Sequence, residues 1–299
     1  MSHPLRPKEN YILVCEGPSD LQLLQSILQK FVPDLTVYYA EGGQNVKPLA
    51  NVLKSSYYII DRDFKKSYAE ATKTLKSKEP QTIWPRHDIE CYLLYPDWLL
   101  GAIRKIQEAR NFRSPPSSEQ DIGKSIIEIA DSFIADHAGR KTLDTMSKTA
   151  GKRNIFDAKP DKSIVQGGAE ASDRKSWESC LVQETDRICQ AAQSLGNNIE
   201  LTQTAVLKLY DEQVEQYTQW AQNITTIRDE FSGKRVLQAL AQKWGTPGGK
   251  SPKTKPWQLL RNIVIEEAID YNHHISKLNE NPRLGDFGNI AKKITGNDV

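Results

Sequence analysis

Short apolar runs alternate with helical patterns along the first hundred residues of the chain. Four runs are nearly continuous in apolar and β-prone residues: 11–15, 35–40, 57–61 and 82–84. Three segments between them space their apolar residues as amphipathic helices do: 21–31, 46–55 and 68–76. This alternation predicts a mainly parallel, Rossmann-like α/β sheet, because parallel strands are covered on both faces and joined by helices. Ser19 is the expected cap of the first helix, and Asp88 of a further one.

The hydrophobic pattern changes after about residue 100, where only helical periodicity remains. Six segments show it: 98–110, 119–138, 176–195, 199–231, 233–244 and 256–279. Polar stretches separate these segments, and none has the composition of a strand. The predicted architecture is therefore an α/β domain over 1–100, followed by an all-helical region over 101–299.

Composition places the chain among globular proteins. The 299 residues are 38% hydrophobic and 26% charged, enough to bury a core. No apolar run approaches the roughly 20 residues that span a bilayer, and the N-terminus has no apolar leader. The four cysteines form no C-x-x-C pair, so we expect reduced thiols, no structural zinc and a cytoplasmic protein without membrane contact.

The net charge of +2 neither requires nor excludes nucleic acid, but the distribution of cations is uneven. Between 243 and 261 five basic residues meet no acid: Lys243, Lys250, Lys253, Lys255 and Arg261. Trp257 follows this loop, and aromatic side chains beside cations suit single-stranded nucleic acid or folded RNA. Lys234 and Arg235, at a predicted helix start, are further candidates for phosphate contact. The alternative is that these cations lie on solvated loops.

Acidic residues follow three of the predicted strands. Glu16 and Asp20 come after the first strand, Asp61 and Asp63 after the third, and Glu90 after the fourth. Because the carboxyl ends of parallel strands meet at one edge of the sheet, we expect these carboxylates to share a cleft. Such a group repels itself unless a cation neutralises it, and Mg²⁺, with Mn²⁺ as a substitute, prefers oxygen ligands. The alternative is that the acids are ordinary caps and turn formers.

This arrangement resembles a Toprim domain, the Mg²⁺-dependent module of topoisomerases, bacterial primases and several nucleases. The run VCEGPSD…YYAEGGQNV…YYIIDRDF…WPRHDIECYLL is similar to Toprim nucleases found beside ATPases in anti-phage defence. The resemblance implies that Glu16 acts as acid/base and also contacts the metal, and that Asp61 and Asp63 bind it. It also implies an RNA-cleaving toxic effector, with transfer RNA as a candidate substrate, restrained by an ABC-type or AAA-like ATPase and dimeric once active.

Other residues at the strand ends have candidate roles in the same chemistry. Asp20 and Glu90 would assist catalysis, and His87 would protonate a leaving oxygen. Arg62 and Arg86 are candidates for binding nucleic-acid phosphates. Two other functions stay open: nicking of DNA, and binding of nucleic acid or a protein partner without catalysis. Retention of the acids argues against pure binding, because carboxylates weaken affinity for phosphates.

Overall fold

The structure is a computed structural model, and it describes most of the chain. The described residues are 11–55, 57–64, 66–109, 114–149, 164–166, 169–171, 173–193, 201–245 and 255–297. They divide into two compact units. The first unit comprises Met1–Trp98 and Arg261–Val299, and the second comprises Leu99–Leu260.

A four-stranded parallel sheet organises the described part of the first unit. Its strands are β1 (Tyr11–Cys15), β2 (Leu35–Tyr39), β3 (Tyr57–Ile60) and β4 (Gln81–Ile83), in the order β2-β1-β3-β4. Consecutive buried residues in β1, Leu13, Val14 and Cys15, show that this strand is covered on both faces. The predicted parallel α/β sheet is confirmed, and its carboxyl ends form a common edge.

Helices connect these strands in the predicted order. They are α1 (Pro18–Leu28), α2 (Gly43–Val52) and α3 (Tyr68–Lys76), and the 3₁₀ helix Ile89–Leu93 follows β4. The predicted cap of α1 is wrong, since Gly17 caps the helix and Ser19 lies within its first turn. The reason is local: Pro18 is favoured where a helix N–H has no partner, and Asp20 accepts the Gly17 N–H at 2.9 Å.

The C-terminal segment of the chain belongs to the first unit, whereas the sequence assigned it to the helical region. Helix α12 (Gly285–Thr295) packs against α1 and α3, and its Phe287 ring lies 5.1 Å from that of Trp84. The sequence did not predict α12, because Gly285 and Gly288 lower helix propensity. Packing requires Gly288, since a Cβ there would lie 2.3 Å from Asn279 N.

Helices dominate the second unit. They are the later part of α4 (Pro96–Ala109), then α5 (Glu119–Ser132), α6 (Ile134–Thr149), α7 (Arg174–Gln193), α8 (Gln203–Trp220), α9 (Ile224–Glu230) and α10 (Gly233–Lys243). The first turn of α11 (Pro256–His273) also belongs to this unit. Two predicted helices are each broken in two, and the second break has a clear cause: Asn223 caps α9 by accepting the Thr225 N–H at 2.8 Å.

The prediction of an all-helical region is corrected by a small antiparallel hairpin. Its strands are β5 (Ile164–Gln166) and β6 (Ala169–Ala171). Each strand has only three residues, too few for alternation of apolar and polar positions to be visible in the sequence. All four cysteines are free thiols, which agrees with the prediction that none forms a disulfide.

Candidate active site

The predicted acids lie along the carboxyl edge of the parallel sheet. Glu16 directly follows β1, Asp61 directly follows β3, and Glu90 lies in the 3₁₀ helix after β4. The strands that deliver them are neighbours in the sheet. We refer to the six carboxylates at this edge as the acid cluster; they are Glu16, Asp20, Asp61, Asp63, Asp88 and Glu90.

Glu16 is held by backbone on two sides. Its Oε1 accepts the Asp61 N–H at 2.9 Å, which ties the end of β1 to the end of β3. The carboxylate also lies against Gly43, the first residue of α2, where an added Cβ would be 2.7 Å from Oε1. The positive end of the helix dipole favours a negative charge in this position. Glycine at 43 is therefore required by the placement of the Glu16 carboxylate.

Asp20 is buried and only partly satisfied. Its Oδ2 accepts the Gly17 N–H, whereas Oδ1 is inaccessible to solvent and has no hydrogen-bond partner. Burial, followed by the negative charges of Glu90, Glu16 and Asp88, raises the pKa of Asp20 to about 8. A protein retains an unsatisfied buried carboxyl at a cost of about 1–3 kcal/mol.

Asp61 is half-buried and, like Asp20, only partly satisfied. Its Oδ1 is inaccessible and has no hydrogen-bond partner. The pKa of Asp61 is raised well above its usual range, first by burial and then by the charges of Asp20, Asp88, Glu16 and Asp63. The acids that act on the pKa values of Asp20 and Asp61 come from the ends of β1, β3 and β4, so these carboxyl groups lie near one another.

The loop after β3 is locked to the segment after β4. Asp63 adopts a positive φ of 47°, which is uncommon for a residue with a side chain, and its N–H donates to the His87 carbonyl at 3.1 Å. The ring of Phe64 contacts that of His87 edge-on, with centroids 4.7 Å apart. His87 is itself buried. These contacts bring the predicted D-x-D segment and His87 together.

Asp88 is a member of the cluster that the sequence did not identify as functional. It occupies the predicted N-cap position of the 3₁₀ helix, but its side chain makes no capping bond. Instead its Oδ1 accepts from Cys91 Sγ at 3.2 Å, and its Oδ2 lies 3.5 Å from His87 Nδ1. Its position beside His87 at a strand end, where other acids of this sheet lie, is the feature of the sequence that could have identified it.

The arginines expected to bind nucleic acid at this edge are buried. Arg62 is 2% exposed and donates from Nη1 to the Lys66 carbonyl at 3.2 Å. The Arg86 guanidinium stacks 4.3 Å from the centre of the Tyr92 ring and donates to Tyr95 Oη. Both side chains are therefore enclosed by protein, so their predicted contact with nucleic acid has no exposed guanidinium to support it.

The candidate phosphate-binding cations of the second unit have different environments. Lys234 is exposed, and its Nζ lies 5.8 Å from the Trp257 ring centre, within the range of a cation–π contact. Arg235 forms an ion pair with the buried Asp136, so its charge is compensated. Lys255 is exposed at the start of α11. Lys250 and Lys253 lie outside the described residues.

The carboxylates at this edge would need water and a phosphate to complete the shell of a divalent cation. Among the described residues, no group of three or more His, Cys, Asp or Glu side chains is arranged to hold a metal ion. Mg²⁺, however, commonly takes only one or two protein carboxylates and completes its shell with water and phosphate oxygens. The unpartnered Oδ1 atoms of Asp20 and Asp61 and the mutual repulsion of the cluster are what such a cation would relieve.

Comparisons with known proteins add no family assignment. No protein-family model matches the chain, and a search of curated proteins finds no match. Within the described ranges, no helix combines the length and apolar character needed to cross a membrane.

Proposed function

We propose that this protein is a Mg²⁺-dependent endonuclease that hydrolyses phosphodiester bonds, with RNA as the favoured substrate. One observation supports this most directly: the buried Asp20 and the half-buried Asp61 each have an inaccessible carboxyl oxygen without a hydrogen-bond partner, within a cluster of six acids. An arrangement that costs free energy in the isolated protein is reasonable where a cation and a phosphate complete it.

The roles follow from how each side chain is held. Asp61 and Asp63 would hold the metal ion, which neutralises the cluster and polarises a phosphate oxygen when bound. Glu16 is fixed by the Asp61 N–H and by Gly43, as a group that transfers a proton in a defined geometry must be. Glu16 also lies close enough to Asp61 to contact the same cation. Asp20, Glu90 and His87 line the same edge, and His87 would protonate the leaving oxygen.

The preference for RNA rests on residues of the second unit, and the biological setting rests on the resemblance to Toprim nucleases. The exposed Lys234 beside Trp257 offers a cation and an aromatic face, which suit unpaired bases. The resemblance to Toprim nucleases of anti-phage systems supports a toxic effector acting on RNA, plausibly transfer RNA, and restrained by a partner ATPase. Dimerisation of the active form belongs to the same proposal.

Cleavage of total cellular RNA and plasmid DNA by the purified chain tests the proposal. Each substrate is incubated with Mg²⁺, with Mn²⁺ and with EDTA, alone and with any co-encoded ATPase. We expect metal-dependent cleavage of discrete RNA species. Cleavage confined to plasmid DNA would replace RNA with DNA as the substrate, and metal-independent binding without cleavage would support a non-catalytic role.

Two variants test whether the presence and the placement of the Glu16 carboxylate control the cleavage rate. Glu16→Ala removes the proposed acid/base and should lower the cleavage rate by about 10²- to 10⁴-fold. Gly43→Ala keeps that carboxylate but displaces it, since the new Cβ would overlap Oε1, and misplacement of this kind costs about 10²-fold. Full activity of folded Glu16→Ala would refute the assignment.

A further inference from the structure

Arg261 is a cation beside the acid cluster that lies far from it in sequence. It is the first residue of the segment that completes the first unit, and its side chain is only 14% exposed. Its Nη1 donates to Ser19 Oγ at 2.7 Å and lies 3.8 Å from Glu90 Oε1. One guanidinium nitrogen therefore lies close to two different elements of the sheet edge.

The guanidinium is oriented from its other edge as well. Its Nε and Nη2 both donate to Asn262 Oδ1, at 3.3 and 3.1 Å. Because the guanidinium is planar and its five donors have a fixed geometry, the Asn262 contact determines where Nη1 points. Arg261 is thus part of a directed network, in contrast to an exposed cation that samples many rotamers.

The two groups that Nη1 reaches are both connected to Asp20. Ser19 precedes Asp20 in the first turn of α1. Glu90 lies in the 3₁₀ helix after β4, and its charge acts directly on Asp20. A single guanidinium that contacts both fixes the first turn of α1 relative to that 3₁₀ helix, and with it the relative placement of Asp20 and Glu90.

We propose that Arg261 is a positioning residue for the endonuclease reaction, acting by holding Glu90 and the Ser19–Asp20 turn in their working arrangement. This inference rests on the proposed function. A lysine would supply the charge but not the donors that reach Asn262 and Ser19 together. The role is thus specific to arginine, and it acts through Glu90 and Asp20 without contact to the substrate.

Steady-state cleavage by Arg261→Gln tests this role. We expect kcat to fall about 10- to 100-fold, as is usual when a group that orients active-site ligands is removed, with KM for RNA changed less than about twofold. Arg261→Lys should recover only a small part of kcat. Lys277→Gln is the control, since this exposed cation of the same unit pairs with Glu280 and its loss should leave kcat unchanged.

A double-mutant cycle with Glu90→Gln shows whether Arg261 acts through Glu90. If it does, Arg261→Gln/Glu90→Gln should be little slower than Glu90→Gln alone. Multiplicative losses would overturn the proposal, as would a raised KM with a weaker salt dependence at constant kcat, which identifies a direct phosphate contact. An unchanged kcat in folded Arg261→Gln would overturn it too.

The unfolding midpoint of the same four proteins gives a readout that does not depend on activity. Contact between the two side chains predicts that the shifts of the single variants do not add in the double variant, and additive shifts would overturn the inference. If the wild-type chain cleaves no nucleic acid, the proposed function fails on its own, and this cycle still decides whether Arg261 holds Glu90.

Discussion

Each unit buries acidic side chains, but the two units treat them in opposite ways. In the second unit, Asp136 is 1% exposed and pairs with Arg235 and with Arg140, the latter at 2.8 Å. In the first unit, Asp61 leaves its inaccessible Oδ1 without a partner, and burial, followed by the charges of other acids, raises its pKa. The second unit pairs its buried acid with two arginines, whereas the first unit leaves a carboxyl oxygen unpartnered among other acids.

The neighbours of Asp136 extend the contrast. His137 is completely buried in the second unit, yet both ring nitrogens have partners: Nδ1 lies 3.0 Å from the Phe133 carbonyl, and Nε2 accepts the Ser232 N–H at 3.0 Å. This assignment fixes the neutral tautomer with its proton on Nδ1. Because the Asp136 carboxylate and both ring nitrogens of His137 have partners, these two residues are adequately explained by stability of the helical packing.

The acid cluster cannot be explained in that way. Native proteins are stable by only about 5–15 kcal/mol, and each unsatisfied buried polar group costs about 1–3 kcal/mol. A chain that accepts this cost at Asp20 and Asp61 while satisfying Asp136 fully is expected to gain something other than stability at the cluster. The comparison therefore separates a structural acid from the acids for which we propose a functional role.

The largest loss of stability that we expect from one substitution at a fixed pH is at Asp136, whose charge is compensated by arginines. Asp136→Ala removes the carboxylate that compensates the partly buried Arg235, and breaking a buried pair in this way costs about 3 kcal/mol. Denaturant unfolding followed by circular dichroism measures the loss. Asp211→Ala is the control, since the exposed Asp211–Arg174 pair should contribute less than about 1 kcal/mol. Equal losses of unfolding free energy in the two variants would show that the buried pair of Asp136 contributes no more than the exposed pair of Asp211.

The acid cluster should instead give stability an inverse dependence on pH. The pKa of Asp20 is near 8 in the folded chain and near 3.8 when unfolded, so the folded state binds more protons between these values. The free energy of unfolding contributed by Asp20 therefore falls as pH rises from about 4 to about 8, by at most about 1.4 kcal/mol per pH unit. Below that window the contribution is fully present.

The difference in the pH dependence of stability between the wild type and Asp20→Asn measures the contribution of Asp20. Unfolding in EDTA is measured across the pH window for both proteins, and the variant should lose part of the downward slope. Asp286→Asn is the comparison outside the cluster: burial also raises the pKa of Asp286, to which Tyr92 donates, so this variant should also lose part of the slope. A slope that Asp20→Asn leaves unchanged would show that Asp20 does not titrate in this range.

The sequence predicts those parts of this contrast that depend on local patterns. Continuous apolar runs predict parallel strands, and the carboxyl ends of such strands meet, so the sequence alone suffices to place Glu16, Asp61 and Glu90 at one edge. Asp88 is missed because an acid at that point of the chain is more often a cap. Its side-chain contacts to Cys91 and His87 are tertiary details.

Charge patterns along the chain predict the environment of a charged side chain less well, because its partners lie far away in sequence. Arg261 appears in a stretch without acids, yet it lies beside Glu90, and Arg235 reaches Asp136 across 99 residues. Arg62, between two aspartates in sequence, is buried. The same limitation applies to α12, whose glycines oppose a helix locally and whose packing against the first unit favours one.

The smallest change in stability that we expect has the opposite sign to the loss expected for Asp136→Ala. Asp61→Asn removes one of several like charges and should stabilise the metal-free chain by about 1 kcal/mol, while abolishing cleavage. Mg²⁺ should raise the unfolding midpoint of the wild type, since a ligand that binds only the folded state stabilises it. In Asp61→Asn that increase should shrink or vanish. Destabilisation in EDTA together with an undiminished response to Mg²⁺ would place Asp61 with the structural acids, beside Asp136.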